Sequence, residues 1–236
     1  MLKKLFLLLA SFSLQASEGT LIVGTNAEFP PFSYIENGTI VGFDIDISKE
    51  VAQKLNKTIQ WEDMPFDALI PAVVLGHVDF AAAGMSYTEE RAKRVFFTKS
   101  YLKEDPLVIL SKTKEPLSQD LKGKKVVVIE GFTADLLMSS KKGITLIRLP
   151  TQTDGFIALK SGRADAFVTA KSSVTAFLNS KNKESFQITP LDDTGETCAI
   201  IVPKSKPKML EELQKALDNM EEEGIIDSLK TKWKLQ

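Results

Sequence analysis

One cysteine and one histidine among 236 residues exclude several kinds of chemistry. Cys198 is alone, so no intrachain disulfide can form even in an oxidising compartment. It lies in the apolar run Cys198-Ala199-Ile200-Ile201-Val202, where a buried, inert thiol is expected. His77 follows a helix-ending glycine and reads as a turn residue. A single histidine and a single cysteine support no Ser-His or Cys-His nucleophile, and no clustered spacing suggests a metal site. No catalytic residue, metal or cofactor is therefore expected. Excess charge is lacking too: 30 Lys+Arg stand against 31 Asp+Glu, a formal net charge of -1. That balance gives no electrostatic reason to expect nucleic acid or an anionic membrane as a partner. Beyond the N-terminus no stretch reaches about eighteen uninterrupted apolar residues, so nothing there reads as membrane-spanning.

What is present starts at the N-terminus. Met1-Leu2-Lys3-Lys4 is a short basic start, Leu5 to Leu14 an apolar run, and Gln15-Ala16 ends on a small residue. This is the layout of a secretory signal peptide over residues 1–16, too short to cross a bilayer. Phe12 stands where a lipoprotein signal would carry its lipidated cysteine, so no lipid anchor forms there. The mature protein is expected to be soluble, in a periplasm. Its composition, 43% hydrophobic and 26% charged, is that of a globular protein large enough for one large or two small domains.

Short apolar strands alternate with helical patterns through the mature chain, which argues for α/β units. Strands are expected at 21–25, 58–61 and 78–83, and helices at 44–55 and 66–75, with another starting at Thr88 and running to Val95. A second module begins near Leu107. Its strands are expected at 107–110, 125–129, 145–149 and 164–168, with helices at 134–139 and 153–161. The halves share a phrase: Leu75-Gly76-His77-Val78-Asp79-Phe80 parallels Lys160-Ser161-Gly162-Arg163-Ala164-Asp165-Ala166-Phe167. The tail adds a strand at 200–202 and two amphipathic helices within 209–235, too little to stand alone, so it must pack on one module. Two α/β lobes around a cleft follow, and ligands preferentially bind in such clefts. The acidic residues between Glu211 and Glu223 read as a solvated face.

The stretch Gly84-Met85-Ser86-Tyr87-Thr88-Glu89-Glu90-Arg91 follows the apolar run Val78 to Ala83. A buried strand there ends in a polar turn, and Thr88 is a plausible N-cap. The turn gathers a carbonyl, a hydroxyl, backbone N–H groups and one guanidinium, a set able to hold a small carboxylate. The same residues also describe a strand, a turn and a surface arginine on a helix face with Glu89, Glu90, Lys93 and Arg94.

Four motifs together resemble one family: Val23-Gly24-Thr25-Asn26-Ala27-Glu28-Phe29-Pro30-Pro31-Phe32, Val41-Gly42-Phe43-Asp44-Ile45-Asp46-Ile47, Phe66-Asp67-Ala68-Leu69-Ile70-Pro71, and Gly84 to Arg91. From Leu21 to Leu235 the chain is similar to the periplasmic polar amino-acid-binding proteins of ABC importers, such as the glutamine-, arginine- and lysine/arginine/ornithine-binding proteins. The resemblance implies a two-lobed, type II periplasmic-binding-protein fold. Lobe 1 would be residues 17–104 plus 196–236, and lobe 2 residues 105–195, with hinges near 103–106 and 192–198. It implies a monomer that captures a polar amino acid, glutamine-like or arginine-like, by closure of the lobes and delivers it to a membrane permease. The implied ligand-binding residues are Asn26, Glu28, Phe29, Phe66, Gly84, Met85, Ser86, Arg91, Gly131 and Thr133. Among them Phe29 and Phe66 match the aromatic walls around the ligand side chain. The Gly84 carbonyl and Ser86 match acceptors of the α-amino group, and Arg91 matches the α-carboxylate clamp, helped by the Ser86 amide and Thr133.

Two departures bear on the ligand. Asn26 stands where relatives that bind cationic side chains commonly carry aspartate, which argues against a basic ligand, although Glu28 and Glu130 lie in the same loops. The family's carboxylate for the ligand ammonium falls at Ala170. Burying an ammonium without an anion costs several kcal/mol. Either Asp192, Asp193 or Glu196 substitutes, the reading favoured here, or the ligand is an organic or keto acid. A periplasmic enzyme of the same fold, similar to cyclohexadienyl dehydratases, is the other alternative, with Glu130 and Glu28 as formal acid candidates.

Overall fold

The computed structural model describes residues 19–179 and 185–235. The expected signal peptide, residues 1–16, and its cleavage point at Ala16 lie outside them. The described chain folds into two α/β lobes, each built on a five-stranded sheet. In the first sheet the order is Thr58–Asp63, Thr20–Thr25, Phe80–Ala81, Ile201–Pro203, Val95–Phe97. The first three strands are parallel, and Ile201–Pro203 runs against both its neighbours. In the second sheet the order is Thr145–Leu149, Lys125–Ile129, Ala166–Ala170, Leu107–Ser111, Gln187–Pro190. Again three strands are parallel and the fourth opposes its neighbours. Each opposed strand is the first to enter its lobe after a crossover, which is why the two sheets match.

The crossovers themselves pair. Leu102–Asp105, leaving the first lobe, and Glu196–Cys198, returning to it, form an antiparallel two-stranded ladder with Glu196 opposite Asp105 and Cys198 opposite Leu102. Asp105 is buried and accepts from both the backbone N–H and the hydroxyl of Ser172. This ties the helix Lys171–Asn179 to the outgoing crossover.

The tail packs on the first lobe. Ile201 pairs with Ala81 and Phe97, and helix Pro207–Glu222 buries Leu213, Ala216, Leu217 and Met220. The last helix, Ile225–Trp233, is pinned by the Trp233 indole, which donates to Asp46 at 2.8 Å. The acidic stretch is largely exposed, and Glu223 meets Lys54 at 2.8 Å.

Two expected elements come out shorter. The helix expected from Thr88 to Val95 is a single turn, Glu89–Ala92, because Val95–Phe97 is β-branched and aromatic and leaves to pair with Ile201–Pro203. The strand expected at 78–83 forms a ladder only at Phe80–Ala81. Ala82 and Ala83 stay buried and lead into the site turn. A three-stranded antiparallel ribbon, Glu28–Phe29, Ser33–Glu36 and Thr39–Val41, joins the first strand to helix Phe43–Lys54.

Candidate functional site

The site begins with a buried acid beneath the Gly84 turn. Asp44, in the first turn of helix Phe43–Lys54, is fully buried. Its carboxylate accepts from the Gly84 N–H and, at 3.0 Å, from the Tyr101 hydroxyl. Loss of water around it pushes its pKa up to about 7, although both hydrogen bonds favour the charged form. Gly84 itself has φ +62, and a Cβ there would sit 2.6 Å from the Phe29 ring. Glycine is therefore required on two counts, left-handed backbone and close approach of an aromatic wall.

The turn then delivers Arg91. Thr88 caps the short helix, its hydroxyl oxygen accepting the Arg91 N–H at 3.2 Å. The Arg91 side chain points inward and is only 7% exposed. One Nη donates to the Ser86 carbonyl at 2.6 Å and the other to the Gly131 carbonyl of the second lobe at 2.9 Å. The guanidinium carbon lies 5.3 Å from the centre of the Phe66 ring. Burial lowers the Arg91 pKa to about 10, opposed by the charge of Glu196. The surface-arginine alternative is thereby settled in favour of a buried cation facing a cleft.

Glu196 supplies the opposite charge. It belongs to the returning crossover, and its carboxylate accepts the Ser86 hydroxyl proton at 2.6 Å. Ser86 Oγ in turn accepts the Thr197 N–H at 3.1 Å. Burial raises the Glu196 pKa, while hydrogen bonds from Ser86 and Thr133 and the charge of Arg91 hold it down. Among the described residues Arg91 and Glu196 make no direct ion pair, so the two charges flank the cavity rather than cancel in contact.

Three phenylalanines close the other side. Phe132, at the N-cap of helix Thr133–Ser139 in the second lobe, reaches across to the first. Its ring centre is 4.3 Å from that of Phe66 and 5.0 Å from that of Phe29. It therefore lies between the two rings expected to flank a ligand side chain. The remaining cavity is about 10 Å³, room for no more than about one water.

Of the residues named from the sequence, Phe29, Phe66, Gly84, Arg91 and Thr133 line this cavity. Ser86 and Gly131 border it through their bonds to Glu196 and Arg91. Met85 is buried behind the turn, its carbonyl accepting the Ala199 N–H. Asn26 is buried but donates to the Met64 carbonyl at 3.2 Å, and it does not line the cavity. Glu28 is exposed; partial burial, and then Asp63 and Asp154, raise its pKa. Ala170 lines the cavity at the position where the family resemblance placed a carboxylate. Phe132 was not named as a site residue; the signal was an aromatic ring in a Gly-Phe-Thr turn.

The family model for bacterial extracellular solute-binding proteins, family 3, matches residues 21–236. The chain is 31% identical over 232 residues to the putative ABC transporter arginine-binding protein 2 of Escherichia coli K12, covering 96% of each. It is 33% identical over 223 residues to the probable histidine-binding protein of Campylobacter jejuni, covering 92% of this chain and 86% of that one. Among solved structures, an ancestral arginine-binding protein bound to arginine superposes with a TM-score of 0.87 at 36% identity, over 92% of this chain and 99% of the other. An ancestral arginine-binding protein bound to glutamine gives 0.85 at 37% identity, over 91% and 97%.

Proposed function

We propose, because the chain belongs to the bacterial extracellular solute-binding proteins of family 3, that it is the receptor of an amino-acid ABC importer. After export to the periplasm and removal of residues 1–16, it captures a free amino acid as a monomer and hands it to a membrane permease. Binding closes residues 17–104 with 196–236 against residues 105–195, bending the paired crossovers Leu102–Asp105 and Glu196–Cys198. Relatives named for arginine and histidine support the amino-acid class, and those ligands share an α-carboxylate.

The observation that carries this reading is the buried Arg91 guanidinium, spanning the lobes from the Ser86 carbonyl to the Gly131 carbonyl. A cation kept this far from water, bonded to neutral carbonyls, is a clamp for an anionic group. Thr133 and Ser86 stand beside it, their hydroxyls donating to Glu196. Turnover chemistry has less support: Glu28 and Glu130, the formal acid candidates, are both exposed and neither lines the cavity.

Isothermal titration of the mature protein with L-arginine, L-histidine and L-glutamine tests the reading. At least one should bind, and Arg91→Ala should weaken that ligand by about 2–5 kcal/mol, the cost of truncating one partner of a desolvated charge pair. Unchanged affinity in Arg91→Ala would remove the clamp from the site.

A further inference from the structure

A receptor for amino acids must place the ligand ammonium beside an acceptor of negative charge, or lose the hydration of that cation without return. The second-lobe position expected to do this is Ala170, which lines the cavity but carries no charge. Three carboxylates lie in the returning crossover region: Asp192, Asp193 and Glu196. Asp192 and Asp193 are exposed, and Asp192 is engaged by the Gln119 amide at 3.0 Å. Glu196 alone of the three lines the cavity.

We infer that Glu196 is the anchor for the ligand's α-ammonium group, taking the role left vacant at Ala170. This deepens the receptor reading above and rests on it. The Ser86 and Thr133 hydrogen bonds aim the carboxylate from two lobes at once, one donor on each side of the cleft. Arg91 and Glu196 then form a fixed pair of opposite charges bordering one cavity without touching. An amino-acid zwitterion presents the complementary pair, so both desolvated charges gain a partner and the site stays neutral. A 2-oxo acid keeps the carboxylate but replaces the ammonium with a carbonyl. It would satisfy Arg91 and leave Glu196 as an uncompensated, largely desolvated anion, which is a penalty rather than a mere lost contact. The anchor also sits on a moving part. Glu196 faces Asp105 in the crossover ladder, so a cation drawn to it acts on the hinge directly, whereas a carboxylate at position 170 would act from the sheet of the second lobe.

The test compares each amino acid that binds with its own 2-oxo acid, in wild type, Glu196→Gln and the double variant Glu196→Gln/Ala170→Asp. In wild type the amino acid should bind at least about 100-fold tighter than the 2-oxo acid. Glu196→Gln should shrink that ratio to below about 10-fold, and Ala170→Asp added to it should recover at least about 10-fold of amino-acid affinity. Because the ratio is taken within each protein, a general loss of stability does not imitate the result. A Glu196→Gln protein that keeps the wild-type ratio overturns the assignment, as does a wild type that binds both ligand classes equally. If neither class binds the wild type, the receptor reading itself fails, and the anchor with it.

Discussion

Asp44 does its work as a single side chain hidden from any ligand. It holds the Gly84 amide and the Tyr101 hydroxyl, and through them the turn that carries Ser86 and Arg91. Its pKa of about 7 in the folded chain, against 3.8 for an ordinary aspartate, fixes the sign of a pH effect. Between about pH 4 and pH 7 the unfolded chain releases this proton while the folded chain keeps it. The folded state therefore binds more protons, and its stability falls as pH rises through that window, levelling off above about 7. Asp44→Asn keeps the shape and an acceptor for the Gly84 N–H but cannot ionise. Its melting temperature should decline less than that of wild type between pH 5 and pH 8; parallel declines would mean that Asp44 is not the group responsible. Burial also raises the pKa of Asp105 and of Glu196, so the variant should flatten the decline only in part.

Among the elements, helix Gln152–Lys160 lies against strand Ala166–Ala170 through Gly155. A Cβ at Gly155 would fall 2.6–2.9 Å from three atoms of the buried Phe167 ring, which is itself packed edge-on against Phe156. The Gly155 backbone is ordinary helix, so alanine would gain about 1 kcal/mol of helix propensity. Overpacking against a fully buried ring should outweigh that, leaving Gly155→Ala destabilised by about 1–3 kcal/mol in chemical denaturation. A more stable variant would show that the ring has room to move. This is also the scale at which the sequence was most legible. Lys125–Ile129 and Thr145–Leu149 coincide with their expected strands, since short β-branched and apolar runs there have no helical alternative. The ribbon over residues 28–41 was missed although Asn37-Gly38, both at positive φ, mark its hairpin. At the site, the turn residues and Arg91 were readable because they are close in sequence. Phe132 against Phe29 and Phe66, and Glu196 against Ser86, are contacts across roughly a hundred residues or between lobes, and no local spacing encodes them.

At the scale of the whole molecule, a ring and a guanidinium are among the contacts that hold the two lobes together at the cleft. Arg91 reaches the Gly131 carbonyl from one side, and Phe132 wedges between Phe29 and Phe66 from the other. Aromatic pairs of this kind add about 0.5–1.5 kcal/mol each beyond the area they cover, enough to favour the shut arrangement without locking it. A ligand side chain and the Phe132 ring cannot share one slot. On the proposed binding mode, with the ligand side chain between Phe29 and Phe66, that has a consequence in time rather than in affinity: the ring would have to leave before the side chain arrives, and capture would become a two-step event with a first-order gate. In stopped-flow mixing, the observed rate should climb with ligand concentration and then level off at the frequency with which the ring swings out. Phe132→Ala should lift that ceiling, and a wild-type rate that stays linear to the highest concentration would show that no such gate exists. Once solute is saturating, an importer fed by this receptor would then have a supply speed capped by the swing of one phenyl ring.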